Sequence, residues 1–277
     1  MIGRRSNIGL CMLCALAVSA FAAQGASAAF SGTTGSQCKI VPQPGTATTV
    51  GYSDAHCKNA VENDDQHLEK VKYEHVGWAG TGNTELQGSN EKTPGEGNEN
   101  TVLKATIAGF ATTLQATGVE GTNSPTMMNN LSGEEHQATG EGKIKYTGVT
   151  DTNPAGCSVA GGTVTTFQLK ATTAGQGMAL KFEPAEGTTF AEFEITGATC
   201  PEGVKGVKKV VGSVVSSSIE GATTKFDHEN TTGQGTLRIG SAVGPKAGIS
   251  GLLTLKTRVT GSGSAYTPLA ATTTGEG

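Results

Sequence analysis

The side chains with the greatest chemical capacity gather early in the chain. Between Asp54 and His75 stand Asp54, His56, Glu62, Asp64, Asp65, His67, Glu69, Glu74 and His75. Carboxylates and imidazoles are the ordinary ligands of divalent cations. If 67–75 is one extended strand, the two-residue side-chain period puts His67, Glu69 and His75 on one face, a candidate metal set. The competing reading is a solvated edge beside Cys57, where polar residues need no ligand. Tyr52, Tyr73 and Trp78 fall near one another in sequence and form a candidate ligand platform, on which a sugar ring would stack. Trp78 precedes Ala79-Gly80 at a strand end, which is equally the place of a core plug.

Catalytic constellations are harder to draw. His136 sits beside Glu135 and His228 beside Asp227, but in a chain this rich in hydroxyls a Ser–His–acid triad can be assembled by chance. The carboxylate pairs Glu183/Glu186 and Glu192/Glu194 would serve glycoside hydrolysis only if they faced each other across a cleft. Glu192 and Glu194 alternate with Ala191, Phe193 and Ile195, so their face reads as solvent-exposed. The nearest approach to a nucleophile elbow, Gly248-Ile-Ser250-Gly251-Leu252, is offset by one position. Gly142-Lys143 is followed by Ile144, where a phosphate-binding loop needs Ser or Thr, and Gly233-Gln-Gly235-Thr-Leu-Arg238 lacks its last glycine and any βαβ context. No catalytic residue and no cofactor is expected.

The elements that must carry these residues are strands. The chain has 277 residues, with 41 Gly, 16% charged and 5% aromatic residues. Glycine is about twice its usual share and charge well below it. Leu, Ile, Val and Phe make up roughly 18%, near the ~20% below which strongly charged chains stay disordered, but a net charge of −4 is too small for that class. The same charge gives no basic footprint for nucleic acid. Alternation marks strands at 70–76, 143–149, 163–172, 178–182, 190–196, 207–219, 236–239 and 252–259. Leu103, Ala105 and Ile107 line one face, the pattern breaks at Gly109, and Phe110, Thr112, Leu114 and Ala116 line the next, which predicts a hairpin. Compositions rich in Gly, Asn and Glu mark 88–100 and 120–140 as loops. Leu103–Gly109 and Leu169–Gly175 agree at six of seven positions, either two copies of a β-unit or coincidence in a chain rich in Thr, Ala and Gly. The expected fold is all-β, an antiparallel sandwich or barrel of many short strands with long Gly-rich loops.

The N-terminus reads as an export signal: Arg4 and Arg5, an apolar run from Ile8 to Ala23, then Ala26-Ser27-Ala28 as a small-x-small cleavage site. Four cysteines follow it: Cys38, Cys57, Cys157 and Cys200. An even count in an exported chain favours two disulfides. Of the three possible connectivities, the local one, Cys38–Cys57 with Cys157–Cys200, is favoured. The expected organisation is a cleaved signal peptide at 1–28, an irregular disulfide-stapled segment at 29–66, a β-domain at 67–262 and a flexible tail at 263–277. A division of the β-domain into two sub-units near 120–140 is the variant of this scheme.

The segments Pro154-Ala-Gly-Cys157, Gly161-Gly-Thr-Val-Thr-Thr166, Leu180-Lys-Phe-Glu-Pro184 and Gly187-Thr-Thr-Phe190 resemble those of a group of secreted, Gly/Thr-rich bacterial β-proteins with no known activity. The likeness spans about residues 100–220 and consists mostly of turn chemistry. It implies export and β-structure; because some members carry an additional cysteine pair, it implies no cross-linking scheme.

Together these features lead to the expectation of an exported, non-catalytic β-protein of the cell surface or extracellular space, with a structural, adhesive or ligand-binding role. An extracellular hydrolase of a glycan or peptide polymer, with a cryptic carboxylate or Ser-based site, is the alternative. A cell-wall or extracellular polymer is the candidate partner, with no nucleic acid and no integral membrane anchor.

Overall fold

The computed structural model describes residues 33–41, 51–53, 59–61, 70–77, 84–92, 97–130, 137–174, 179–217, 223–226, 235–259 and 265–273. Its strands in chain order are β1 (Thr33–Ile40), β2 (Gly51–Tyr52), β3 (Ala60–Val61), β4 (Tyr73–Gly77), β5 (Thr84–Ser89), β6 (Thr101–Ile107), β7 (Phe110–Ala116), β8 (Gly118–Asn130), β9 (Gln137–Thr147), β10 (Thr150–Asn153), β11 (Ser158–Val159), β12 (Thr163–Thr165), β13 (Leu169–Ala174), β14 (Ala179–Pro184), β15 (Thr189–Thr196), β16 (Gly206–Val211), β17 (Val214–Val215), β18 (Thr223–Phe226), β19 (Arg238–Ile239), β20 (Ala247–Val259) and β21 (Thr267–Thr273). The protein is all-β, without an α-helix among the described residues, and the strands form a large antiparallel network and a four-stranded sheet β11–β15–β16–β19.

Local alternation explains the most regular part. Leu103 pairs with Leu114 and Ile107 with Phe110 across the β6–β7 hairpin. Its two-residue turn has φ of 49° at Ala108 and 85° at Gly109. Positive φ at both central positions matches the right-handed twist of the flanking strands, which glycine meets at no steric cost. Strand β20 connects β6, β18 and β5. Ala247–Ser250 pairs with β6, residues 251–254 with β18, and Thr254–Val259 with β5. It turns between these partners at Gly251, whose φ is 147° and where a Cβ would stand 3.0 Å from the Thr101 hydroxyl oxygen.

The two sheets share one hydrophobic core. Phe190, Phe193, Ile195, Val210 and Ile239 of the small sheet pack in the same cluster as Leu114, Met127, Leu169, Leu180 and Leu253 of the large one. Fully burying side chains of this size stabilises by about 1.5–3 kcal/mol each. Asn90 is the polar exception. It is buried, and its amide donates to the carbonyls of Glu99 and Thr117 while its Oδ1 accepts from the Val119 amide. One side chain thus satisfies the backbone at Glu99 and at the entry to β8.

Several boundaries differ from the sequence reading. The stretch 120–140, expected as a loop, holds most of β8 and the start of β9, paired from Gly118↔Thr147 to Asn130↔Gln137 with a bulge between Thr122 and Thr126. Its Asn, Thr and Gly content hid it, because backbone hydrogen bonds rather than an apolar face hold that ladder. The segment 29–66, expected as irregular, contains β1, β2 and β3, with β1 paired to both β4 and β21. The tail 263–277, expected as flexible, contains β21, and the Tyr266 phenol just before it donates to Glu85 while the Arg258 guanidinium lies 4.5 Å over its ring. The predicted strand 163–172 divides into β12 and β13, and 207–219 divides at Gly212-Ser213. The two similar heptads occupy different settings: β6 pairs with β7 and β20, β13 with β9 and β14.

Cys157 and Cys200 form a disulfide across 43 residues, with their Cα atoms 4.5 Å apart. It closes the ends of β11 and β15, which already pair at Ser158↔Thr196. Cys38 lies on β1 opposite His75, and Cys57 falls outside the described residues, as does the expected signal segment 1–28.

Two stability outcomes follow. The chain-entropy relation assigns a loop of this length about 4 kcal/mol, so the double substitution Cys157→Ala, Cys200→Ala lowers unfolding stability by about 2–4 kcal/mol in urea titrations. Asn90→Ala strips two carbonyls and one amide of their partner, and costs about 2–4 kcal/mol in the same assay.

Candidate functional site

The sequence-derived candidates are brought together only in part. Tyr52 of β2 and Tyr73 of β4 are direct register partners, and both are half-buried. That pairing places two aromatic rings of the expected platform side by side; Trp78 lies outside the described residues. Of the candidate metal set, His75 is on β4, and His67 and Glu69 lie outside the described residues. Among the described residues no group of three or more His, Cys, Asp or Glu converges. His136, Glu135, His228 and Asp227 are likewise outside them. Glu192 and Glu194 are exposed on β15, and Glu192 is ion-paired with Lys209 of β16. Glu183 is ion-paired with Lys181.

The interior offers little room. A cavity of about 50 Å³ lies among Leu103, Leu114, Tyr146, Val164, Phe193 and Leu237. Binding pockets for organic ligands are typically several hundred Å³, so this is a packing void. Burial pushes the Tyr146 phenol up from its usual range, and it stays protonated there.

A much larger groove opens on the other side of Leu237. It encloses about 840 Å³ and is lined from β6, the β16–β17 junction, β19 and the start of β20. Three cations enter it: Lys104 from β6, Arg238 from β19 and Lys246 just ahead of β20. Thr106 and Thr188 add hydroxyls and Val211 an apolar floor, with Ala105 and Ala247 at the rim toward the core.

Each position has a local cause. On β6 the pleat turns Leu103 and Ala105 toward the core, so Lys104 and Thr106 project outward. Val210 pairs with Ile239 on the core face of the small sheet, which puts Val211 and its partner Arg238 on the opposite face. The tight connection from β19 to β20 brings Lys246 opposite Arg238 in an isolated antiparallel bridge. The connection is itself well bonded: the Ile239 amide donates to Pro245 O, the Gly244 amide to Ser241 O, and Arg238 Nη1 to Gly244 O at 2.8 Å. Thr236 Oγ1 accepts from the Ser213 amide at 3.1 Å, fixing the groove wall beside β17.

None of these three cations was singled out in the sequence. Lys104 is far from Arg238 and Lys246 along the chain, and no local motif joins them. The only signal was the failed glycine pattern ending at Arg238, whose Gly235 and Arg238 both line the groove.

One carboxylate has its pKa raised by its setting. Asp151 of β10 pairs with Leu114 of β7, a core-facing position. Its Oδ1 accepts from the Asn153 amide at 3.0 Å, while Oδ2 is buried without a hydrogen-bond partner. Burial pushes its pKa up to about 6, against the opposing pull of the Asn153 amide. The folded state therefore holds the proton more tightly than the unfolded chain between about pH 4 and 6. Across that window stability falls as pH rises, and the full cost of the desolvated carboxylate is present above it. Asp151→Asn removes this dependence: urea midpoints of variant and wild type converge near pH 4, and the variant is the more stable at pH 7.5. A wild-type midpoint that does not fall between pH 4 and 7 relative to the variant contradicts the assignment.

Compared with known proteins, the chain matches no protein-family model, no curated protein and no solved structure.

Proposed function

We propose that this is an exported, non-catalytic β-protein of the cell surface or extracellular space that binds an extracellular or cell-wall polymer. The observation that carries the reading is the 840 Å³ groove along the seam of the two sheets. Its walls are strands and a hydrogen-bonded turn, and its side chains are cations and hydroxyls, which recognise a polar chain from the side. Its volume exceeds what one small ion fills and suits several linked residues of a polymer. The Tyr52/Tyr73 pair is a second surface on which a sugar ring would stack.

Export is supported by the Arg4–Ala28 segment, and by the Cys157–Cys200 disulfide, a bond that persists in oxidising compartments. The resemblance to secreted Gly/Thr-rich β-proteins belongs to the same reading. For the architecture we propose a sandwich, the four-stranded sheet covering one face of the larger network through the shared core.

The full chain, expressed with a C-terminal tag in its native host and fractionated, tests this. We expect it in the medium or envelope fraction, with Ala29 as its first residue by intact mass and polymer co-purifying with it. We also expect no turnover on a panel of esterase, glycosidase and peptidase substrates. Cytoplasmic retention with an intact leader, or turnover abolished by one carboxylate or Ser substitution, overturns the reading.

A further inference from the structure

We infer that the groove takes a polyanion: a polymer chain bearing repeated carboxylate or phosphodiester groups, held by Lys104, Arg238 and Lys246. This rests on the polymer-binding reading and specifies its ligand. The first argument is register. Arg238 and Lys246 are direct partners across an antiparallel bridge. Like charges in that position repel and destabilise the pairing, where an opposite pair would stabilise it. The fold therefore retains a cost at the base of this groove, and an anion seated between the two cations removes it.

The second argument is the missing counter-charge. Lys145, Lys181, Lys205, Lys209, Lys256 and Arg258 are each ion-paired with a glutamate, while among the described residues Lys72, Lys92, Lys143 and Lys170 stand singly and unpaired; what sets the groove apart is that three unpaired cations converge. Among the described residues none of the three groove cations is so paired, and no acidic side chain lines the groove. Glu192, on the outer face of the small sheet, is engaged by Lys209. In a chain of net charge −4, this groove gathers positive charge against the average. A cleft lined by one sign of charge focuses its field and concentrates the opposite ion.

The third argument is donor geometry. Arg238 spends Nη1 on Gly244 O, which orients the guanidinium and leaves the rest of its fork for a planar or tetrahedral anion. Lys104 and Lys246 are exposed point charges on either side. Three cations on separate segments of the chain suit charges repeated along a polymer better than a single small anion.

The test uses the full mature chain and its variants in equilibrium binding to immobilised polymers. The probes are polygalacturonate, poly(glycerol phosphate), a neutral dextran and single-stranded DNA. The groove variant carries Lys104→Gln, Arg238→Gln and Lys246→Gln. A charge-matched control carries Lys72→Gln, Lys92→Gln and Lys170→Gln, at exposed positions outside the groove.

We expect one or both anionic polymers to bind, and the one that binds identifies carboxylate or phosphodiester as the source. The groove variant should bind at least tenfold more weakly, with the control within twofold of wild type. Counterion release should weaken wild-type binding roughly tenfold between 50 and 200 mM salt. Lys246→Gln alone should melt no lower than wild type, because it removes the like-charge bridge, which separates loss of binding from loss of folding.

Anionic binding unchanged in the groove variant overturns the inference. DNA bound as tightly as poly(glycerol phosphate), and lost in the groove variant, supports the inference, since DNA too carries repeated phosphodiesters; DNA binding that survives in the groove variant overturns it. Dextran bound as well as the anionic polymers overturns the inference and leaves the polymer-binding reading standing. Failure of all four probes to bind overturns both.

Discussion

The bend of β20 is the constraint on which the rest of the structure depends. One strand of 13 residues serves β6 with its first four positions, β18 in the middle and β5 with its last six. It can do so only because Gly251 adopts a backbone angle that a side chain disfavours, at a position where an added Cβ would stand 3.0 Å from the Thr101 hydroxyl oxygen. Before the bend, β20 continues from the turn that carries Arg238 and Lys246; after it, β20 joins the sheet that receives β21 and the Tyr266–Arg258–Glu85 cluster. The groove and the anchorage of the C-terminal strand are thus set by the two halves of one element.

The groove and Asp151 show the same economy from two sides. Arg238 opposite Lys246, and a carboxylate oxygen buried without a partner, both oppose stability. A scaffold tolerates such costs only when other interactions exceed them. Here those are the shared core, the Cys157–Cys200 closure and the Asn90 hydrogen bonds. With 24 acids against 20 Lys and Arg, the positive groove persists because the strand pairing brings its three cations together without an acid among its described lining residues.

How far the sequence could be read depended on whether a signal was local. The 103–116 hairpin was legible to the residue, because Leu, Ala and Ile alternate and Gly109 marks the turn. Glu192 and Glu194 were correctly placed in solvent by the same alternation. β8 was illegible, because Val119 and Met127 are its only described apolar core positions and its Asn and Thr residues resemble a loop. β21 was illegible for a related reason: Thr267–Thr273 is strand only because β1 and β20 offer it backbone partners. The Tyr52/Tyr73 pairing was anticipated as a neighbourhood; the register that sets the rings opposite each other belongs to the β2–β4 ladder.

The sequence by itself determined the all-β class, the hairpin at Gly109, the outward face of β15 and the cysteines available for bridging. Each of these follows from side-chain alternation or residue type within a few positions, which short-range sterics settle. Only the tertiary structure decided which strands pair, that Cys157 meets Cys200, that Asp151 faces inward, and that Lys104 joins Arg238 and Lys246 in one groove. Those outcomes depend on contacts between residues tens to more than a hundred positions apart, and no local pattern encodes a distance of that kind. Backbone pairing and the burial of a common core bring them together.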